Sequence, residues 1–330
     1  MFRNRSCVLR FTVALAFFLS GVGFSGSSAA QKSVKFRMDW KMSAAHGPFL
    51  VAAERGFYKA EGLSVQVMGG SGSTDSLKLL GGGSIEFGLV DAPVIVQGRV
   101  KGVPVKSIAV YWQRTPQMIV WNAGKHDVKT PKDLKGLKVG VKHKSSTFQG
   151  FRAFTRAQGL DMKKDMKLIP IGFGVAPLLA GQVDALVGFT TSEPLRAADK
   201  GLKVKEFLFA NYGVKMYGLT IATREDLLKS DGAMIRSFLK ASLRGIKYAA
   251  DHPDEVAPAV KKKVTQAKLG QQSRIWQKVM KAVLFADGPG KRVGVQTSNG
   301  WGKTQNILFD LKLIEKKVPV GSIYTNAFLP

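Results

Sequence analysis

Short runs rich in β-branched residues alternate along this chain with segments of helical periodicity. The first three runs lie at residues 34–39, 63–68 and 85–90, and a helical segment at residues 48–58 separates the first two. Alternation of this kind is typical of βαβ units, in which helices join parallel strands. The pattern therefore predicts an α/β fold with parallel sheets.

A second series of the same kind follows Asn122. A capped turn at residues 130–134 leads into a strand at 137–141, and a helix is expected from about Ser146 to Gln158. Strand, helix, strand and helix then repeat at residues 167–171, 176–180, 185–188 and 193–200.

Beyond a β-like segment at residues 215–222 the pattern becomes helical to the end of the chain. The simplest architecture has two lobes. Residues 31–121 and 215–330 form lobe 1, residues 122–214 form lobe 2, and chain crossings near Val120 and Tyr217 form a hinge.

The first thirty residues have the layout of a secretory signal peptide, with three arginines, an apolar run at residues 13–19 and Ser-Ala-Ala at residues 28–30. A membrane anchor is the alternative, but the apolar run is well short of the roughly 20 residues that a membrane-spanning helix needs. Residues 1–30 are therefore expected to be cleaved from a periplasmic protein.

Cys7 is the only cysteine, and it lies inside this leader. The mature chain is then expected to contain no thiol, which excludes a disulfide framework, Cys-ligated zinc and a cysteine nucleophile. Apolar residues make up 45% of the sequence, which is ample for the cores of two lobes.

The formal net charge is +27, or +24 without the three leader arginines. A balance this basic raises the question of a nucleic-acid partner. The lysines, however, fall on expected helix faces and turns, without the aromatic residues of a base-stacking groove. We therefore expect a solvated basic surface that attracts anions or an acidic membrane face, and no nucleic-acid partner.

Several segments resemble the class of substrate-binding proteins for alkanesulfonate, nitrate and taurine, including its branch that binds the pyrimidine precursor of thiamine. Residues 38–40 (MDW) and 45–49 (AHGPF) are similar to the opening strand and loop of that branch. The most diagnostic stretch is residues 54–63 (ERGFYKAEGL). The similarity continues at residues 70–74, 87–93, 130–141 and 181–194, and is weaker in the C-terminal third.

The resemblance implies a two-lobed type II periplasmic binding protein fold that holds a ligand in the cleft between its lobes. It also implies a component of an ABC transporter that delivers this ligand to a membrane permease and its ATPase. The βαβ pattern alone is compatible with many other α/β proteins.

Two hydroxyl-rich loops precede helices and are candidate anion sites, because backbone N–H groups are unpaired at a helix N-terminus. The first carries Ser71, Ser73 and Thr74, for which ordinary helix capping is the alternative. The second carries Ser145, Ser146 and Thr147 in lobe 2. Helix starts in both lobes would clamp one ligand from two sides.

Aromatic and acidic residues suggest a different kind of ligand. Trp40 is a candidate for stacking on a flat ring, with burial in the core as the alternative, and His46 is a candidate donor. Glu193 resembles the acidic residue that pyrimidine-binding relatives present to a ring amino group, with helix capping by charge as the alternative. Ser192, however, stands where that branch more often has Asn, which leaves a pyrimidine ligand open.

Three further candidates follow from position in the chain. Asp91 and Gln113 come after strands and are expected to face the cleft. Tyr217 lies near the second crossing, where it either covers the ligand or packs in the hinge.

No catalytic motif is complete. Gly302-Lys303-Thr304 resembles the end of a phosphate-binding P-loop, but Thr297 occupies the position of the required upstream glycine. The four histidines lack metal-ligand spacing, and the cysteine-rich motif of the cytosolic, pyrimidine-synthesising branch of the resembled family is missing. We therefore expect a monomeric binding protein without cofactor or metal, with a periplasmic enzyme or a sensor on the same fold as the alternatives.

Overall fold

The computed structural model describes residues 1–2, 31–143, 145–172, 174–284 and 293–330. Residues 3–30 of the predicted leader lie outside the described residues. No helix in the described ranges is both long and apolar enough to span a membrane.

Within the described ranges, the N-terminal strands build a five-stranded sheet in the order β2-β1-β3-β10-β4. Strands β1, β2, β3 and β4 share one direction, and β10 is antiparallel to its neighbours β3 and β4. The predicted parallel pairing of the first strands is therefore present. The strands are β1 (Lys32–Arg37), β2 (Leu63–Met68), β3 (Phe87–Asp91), β4 (Val105–Val110) and β10 (Leu219–Arg224).

The second sheet repeats this arrangement in the order β7-β6-β8-β5-β9. One strand of this sheet, β5, lies between β8 and β9 and is antiparallel to both. Strands β6 and β7, and likewise β6 and β8, are parallel pairs. The strands are β5 (Gln117–Asn122), β6 (Lys138–Val141), β7 (Lys167–Pro170), β8 (Ala185–Phe189) and β9 (Val204–Leu208).

Helices connect the strands and cover the sheets. They are α1 (Gly47–Glu54), α2 (Phe57–Ala60), α3 (Ser73–Gly81), α4 (Ala92–Val100), α5 (Ser146–Ala157), α6 (Ala176–Leu179), α7 (Glu193–Asp199), α8 (Glu225–Ser230), α9 (Gly232–Asp251), α10 (Val256–Lys263), α11 (Leu269–Val279) and α12 (Ser298–Asp310). The segment predicted as one helix at residues 48–58 is divided between α1 and α2, because Gly56 adopts a φ of +70°.

The chain leaves the first sheet after β4 and returns to it with β10, so the whole second sheet is inserted between these two strands. Strand β5 belongs to the second sheet, although residues 117–121 were assigned to lobe 1 from the sequence. The boundaries of the two lobes stay a proposal, and these strands favour a first crossing between Val110 and Gln117.

The core against the first sheet combines residues from both sides of the insertion. Phe238 of α9 stacks on Phe87 of β3 with ring centroids 3.8 Å apart and meets Phe36 of β1 edge to face at 5.0 Å. Burial of one such side chain contributes about 1.5–3 kcal/mol to stability. Helix α9, from the C-terminal part of the chain, is thus anchored on strands from the N-terminal part.

Candidate functional site

Parallel strands β1, β3 and β4 end at the same edge of the first sheet, and the residues that follow them carry polar and aromatic groups. Asp39 and Trp40 come after β1, Asp91 ends β3, and Tyr111 and Trp112 come after β4. Ligands in open α/β sheets bind outside the carboxyl ends of the strands. This edge is therefore the candidate site in the first sheet.

His46 is buried and bonded to its own loop. Its Nε2 lies 2.9 Å from Asp39 Oδ1, and the Ser43 backbone N–H donates to its Nδ1 at 3.3 Å. Because Nδ1 accepts a hydrogen bond, Nε2 carries the hydrogen and donates it to the Asp39 carboxylate. His46, predicted as a ligand donor, therefore positions Asp39 in this structure.

Asp91 lies beside Asp39 at the sheet edge. Strands β1 and β3 pair in parallel, and Asp39 follows the first of them while Asp91 ends the second. Asp91 is 7% exposed. Its burial, and then the charge of Asp39, raise the pKa of the Asp91 carboxyl to about 7, and the Ala92 backbone N–H offsets this only in part.

The first hydroxyl-rich loop is occupied by a carboxylate of its own. Ser71 Oγ donates to Asp75 at 2.9 Å, and Arg37 Nη2 lies 2.7 Å from the same Asp75 oxygen. Both bonds, Ser71 first, hold the pKa of Asp75 below its ordinary value. Ser73 Oγ accepts the Asp91 backbone N–H at 3.0 Å, and Thr74 is exposed. An anion at this loop would have to displace Asp75 from Arg37.

The second hydroxyl-rich loop caps helix α5. Ser145 Oγ accepts the Phe148 backbone N–H at 3.2 Å, donates to the Lys142 carbonyl at 2.7 Å and lies 2.7 Å from Thr147 Oγ1. The Ser146 carbonyl accepts from the Gln117 side chain at 3.0 Å. The hydroxyls of Ser145 and Thr147 are thus engaged with each other and with the start of the helix.

Glu193 has structural partners as well as the position expected for a ligand contact. Its Oε2 accepts the Phe189 backbone N–H at 2.8 Å, and its Oε1 lies 3.7 Å from Lys142 Nζ. A Cβ at Gly188 in β8 would lie 2.5 Å from this carboxyl group, so Glu193 lies close against the strand. Glu193 is buried in the first turn of α7.

Trp40 is 42% exposed, which excludes the alternative that it is an ordinary core residue. The other two candidates, Gln113 and Tyr217, are hydrogen-bonded to the segment at residues 295–297. Gln113 donates to the Val295 carbonyl at 3.2 Å, and the Tyr217 hydroxyl lies 3.2 Å from Thr297 Oγ1 at the start of α12. Tyr217 is buried against Trp301, which is the packing alternative stated for it.

The two sheet edges approach each other beside these residues. Pro93, two residues after Asp91, lines one small gap together with Gln117 and Ser146 of the inserted segment. The structure thus gathers Trp40, His46, Ser73 and Asp91 at the first edge, and Ser145, Ser146, Thr147 and Glu193 at the second.

Sequence reasoning missed Asp39, Lys142 and Trp112. Asp39 precedes Trp40, so its position directly after a strand was a usable signal. The buried Trp112 indole N–H has no hydrogen-bond partner of good geometry among the described residues, which no sequence pattern indicates.

No group of three or more His, Cys, Asp or Glu side chains in the described ranges is arranged to hold a metal ion.

A family model described as NMT1/THI5 like matches residues 43–256. Three relatives are similar over most of their length. The formylaminopyrimidine-binding protein of Halalkalibacterium halodurans is 29% identical over 68% of this chain and 69% of its own. The riboflavin-binding protein RibY of Chloroflexus aurantiacus is 25% identical over 91% and 86%. The 4-amino-5-hydroxymethyl-2-methylpyrimidine phosphate synthase of Legionella pneumophila is 23% identical over 92% and 94%.

Among solved structures, the periplasmic aliphatic sulphonate binding protein SsuA from Escherichia coli superposes with a TM-score of 0.70. It is 16% identical, and the match covers 88% of this chain and 91% of that one. At this level of identity the likeness shows the fold alone. It confirms the predicted two-lobed α/β fold of periplasmic binding proteins.

Proposed function

Because the chain belongs to the NMT1/THI5-like family, we propose that it is the solute-binding component of an ABC importer. In this proposal the protein captures one small molecule reversibly in the periplasm and delivers it unchanged to a membrane permease, which its ATPase drives. It acts as a monomer that residues 1–30 direct to export. Two observations support this function. Relatives are named as binding proteins, and polar residues lie at the strand ends of both five-stranded sheets.

For the ligand we favour a flat nitrogen heterocycle that carries N–H donors. The observation that carries this choice is the combination of the exposed indole of Trp40 with the carboxyl groups of Asp39 and Asp91. Carboxylates accept N–H donors strongly, and an indole stacks on a flat ring. Glu193 is a third acceptor in the inserted segment.

A small sulfonate or another organic anion is the less favoured ligand. The first hydroxyl-rich loop, on which an anion site was predicted, has Ser71 bonded to Asp75. An anion there would have to compete with Asp75 for Arg37, and at the neighbouring strand ends it would be repelled by Asp39.

The second candidate function is an enzyme on the same fold. The Legionella relative, which is named as a synthase, is the observation that favours it. Against it, the single cysteine of this chain is Cys7, so residues 31–330 contain no thiol nucleophile.

The deciding experiment is native mass spectrometry on protein purified without refolding. We expect one added mass per chain, which denaturation releases chemically unchanged and which raises the melting temperature when it is added back. Conversion of the released compound on incubation with fresh protein would favour the enzyme. The importer proposal fails if no mass is retained and no heterocycle or organic anion raises the melting temperature.

A further inference from the structure

Asp91 is a buried carboxyl group without a cationic partner among the described residues. Its own backbone N–H is satisfied by Ser73 Oγ, and helix α4, which follows it, begins with the uncharged residues Ala92 and Pro93. The nearby charge that acts on it is Asp39, which is also negative. Such a group destabilises the folded chain unless another molecule compensates it.

Within the part of the chain that the structure describes, His46 is the one basic side chain paired with either carboxyl group, and it contacts Asp39. His46 donates to Asp39 and occupies that side of it, and the Tyr111 hydroxyl donates to the Ala45 carbonyl at 2.8 Å. Tyr111 feels the charge of Asp39 as well, since this charge, after burial, raises the pKa of its hydroxyl. The groups around Asp91 thus include a second negative charge, that of Asp39, and polar atoms that already have hydrogen-bond partners.

The two carboxyl groups lie at the ends of neighbouring strands. Strands β1 and β3 pair directly, Asp39 follows β1 by two residues, and Asp91 is the last residue of β3. His46 fixes the first side chain, and Ser73 fixes the backbone of Asp91. The exposed ring of Trp40 follows Asp39 directly in the chain.

From this geometry we propose that Asp91 and Asp39 form a subsite for a cationic amino group or amidine-like group of the ligand. A positive group there would pair with both carboxylates at once and remove the repulsion between them. The inference rests on the proposed binding function and adds the class of ligand, a basic nitrogen compound rather than a neutral or anionic one.

Two probes of nearly equal shape test the charge preference. In 4-amino-5-(aminomethyl)pyrimidine an ammonium group replaces the hydroxyl group of 4-amino-5-(hydroxymethyl)pyrimidine, and ethanesulfonate serves as the anionic probe. Isothermal titration calorimetry at pH 8 is run on the full chain, on Asp91→Asn and on Asp127→Asn. Asp127 is an exposed carboxylate paired with Lys129 on the surface, so its substitution removes the same charge far from the strand ends.

We expect the unsubstituted chain to bind the aminomethyl probe at least about tenfold more tightly than the hydroxymethyl probe. Asp91→Asn should reduce this preference to about threefold or less, and Asp127→Asn should keep it. A melting curve on Asp91→Asn establishes that the variant is folded.

Two outcomes overturn the inference while the binding function stands. One is a folded Asp91→Asn variant that keeps the tenfold preference. The other is an unsubstituted chain that binds the hydroxymethyl probe or ethanesulfonate most tightly. Failure of the binding function itself is distinct, since then none of the three probes binds and no ligand mass is retained on purification.

Discussion

At the scale of single residues, the buried carboxyl of Asp91 links the stability of the protein to pH. The folded state raises the pKa of Asp91 to about 7, against an ordinary value of 3.8. As pH rises, the unfolded chain releases this proton near pH 4 and the folded chain near pH 7. The folded state therefore loses stability between these values, by up to about 4 kcal/mol, and the loss is constant above pH 7.

Asp91→Asn should remove this loss. We expect the free energy of unfolding of the ligand-free variant to exceed that of the unsubstituted chain by up to about 4 kcal/mol at pH 8, and to match it closely at pH 4. Urea unfolding at the two pH values measures the difference, with Asp127→Asn as the control for a surface charge. Equal effects of Asp91→Asn at both pH values would contradict the assigned burial.

Trp40 and Trp276 differ in exposure, and their substitutions should differ accordingly. Trp40→Ala is expected to change the free energy of unfolding by less than about 1 kcal/mol, because the ring is 42% exposed, and to weaken the retained ligand at least tenfold. Trp276→Ala should cost about 3–5 kcal/mol, since that ring is buried and its Nε1 donates to the Ala249 carbonyl. Thermal melts and ligand titration measure both effects. Normal ligand affinity in Trp40→Ala would remove Trp40 from the site.

Asp91 was predicted as a ligand contact from its position at the end of a readable strand, and Trp40 from such a position together with the family resemblance. The hydrogen-bond partners of the candidate residues could not be predicted from the sequence. His46 binds Asp39 and Ser71 binds Asp75 through the conformations of their own loops, which periodicity does not specify. The role of Glu193 was left between ligand binding and helix charge, and its bond to the Phe189 N–H adds a third, structural role.

At the scale of helices and strands, the sequence predicted most elements of the first 200 residues, because a buried parallel strand and an amphipathic helix have different periods. The differences lie where backbone geometry overrides the pattern. The segment predicted as β-like at residues 215–222 becomes a strand only at Leu219. Before it, the Tyr217 N–H donates to Thr304 of α12, and a Cβ at Gly218 would lie 2.7 Å from the Arg114 carbonyl oxygen.

The contact between α1 and α9 depends on a glycine. A Cβ at Gly245 would lie 2.6 Å from Ala52 Cβ and 2.7 Å from the Pro48 carbonyl oxygen, so Gly245→Ala should destabilise the fold by about 1–3 kcal/mol. Gly302, inside α12, has open space around it, and Gly302→Ala should stabilise the fold by about 0.5–1 kcal/mol. Chemical denaturation measures the two changes, and effects of the same sign would contradict the close approach of the helices.

For the molecule as a whole, helix α11 ties the C-terminal part of the chain to the second sheet. Arg274 pairs with Asp199 of α7, and Lys278 pairs with Glu206 of β9. Glu206 also accepts from Thr190 at 2.7 Å, while its Oε2 is buried without a partner among the described residues. Lys278 is therefore the main compensation for a carboxylate that is poorly exposed to water.

Lys278→Met should destabilise the protein by about 1–3 kcal/mol, because it leaves the Glu206 charge largely unpaired. Lys247→Met is the matched control. Its pair with Asp251 has side chains that are 78% and 52% exposed, against 29% and 18% for Lys278 and Glu206, and its loss should cost about 0.5 kcal/mol or less. Urea unfolding compares the two variants, and equal costs would show that the contact of α11 with β9 is open to water.

The overall fold was reachable from the sequence through family resemblance, whereas the pairing of β5 and β10 was not. Each of these strands is antiparallel to neighbours that are distant in the chain, such as Val110 opposite Thr220. Local patterns carry no information on such partners, which explains why the expected lobe boundary fell inside β5.

The position of β10 between β3 and β4 has a consequence for how the chain matures. A ribosome that has released only the first 200 or so residues has delivered two strand edges whose common neighbour does not yet exist. Unpaired edges of this kind recruit other chains. Until Leu219 emerges these two edges stay unpaired, and we expect truncated translation products to aggregate rather than fold.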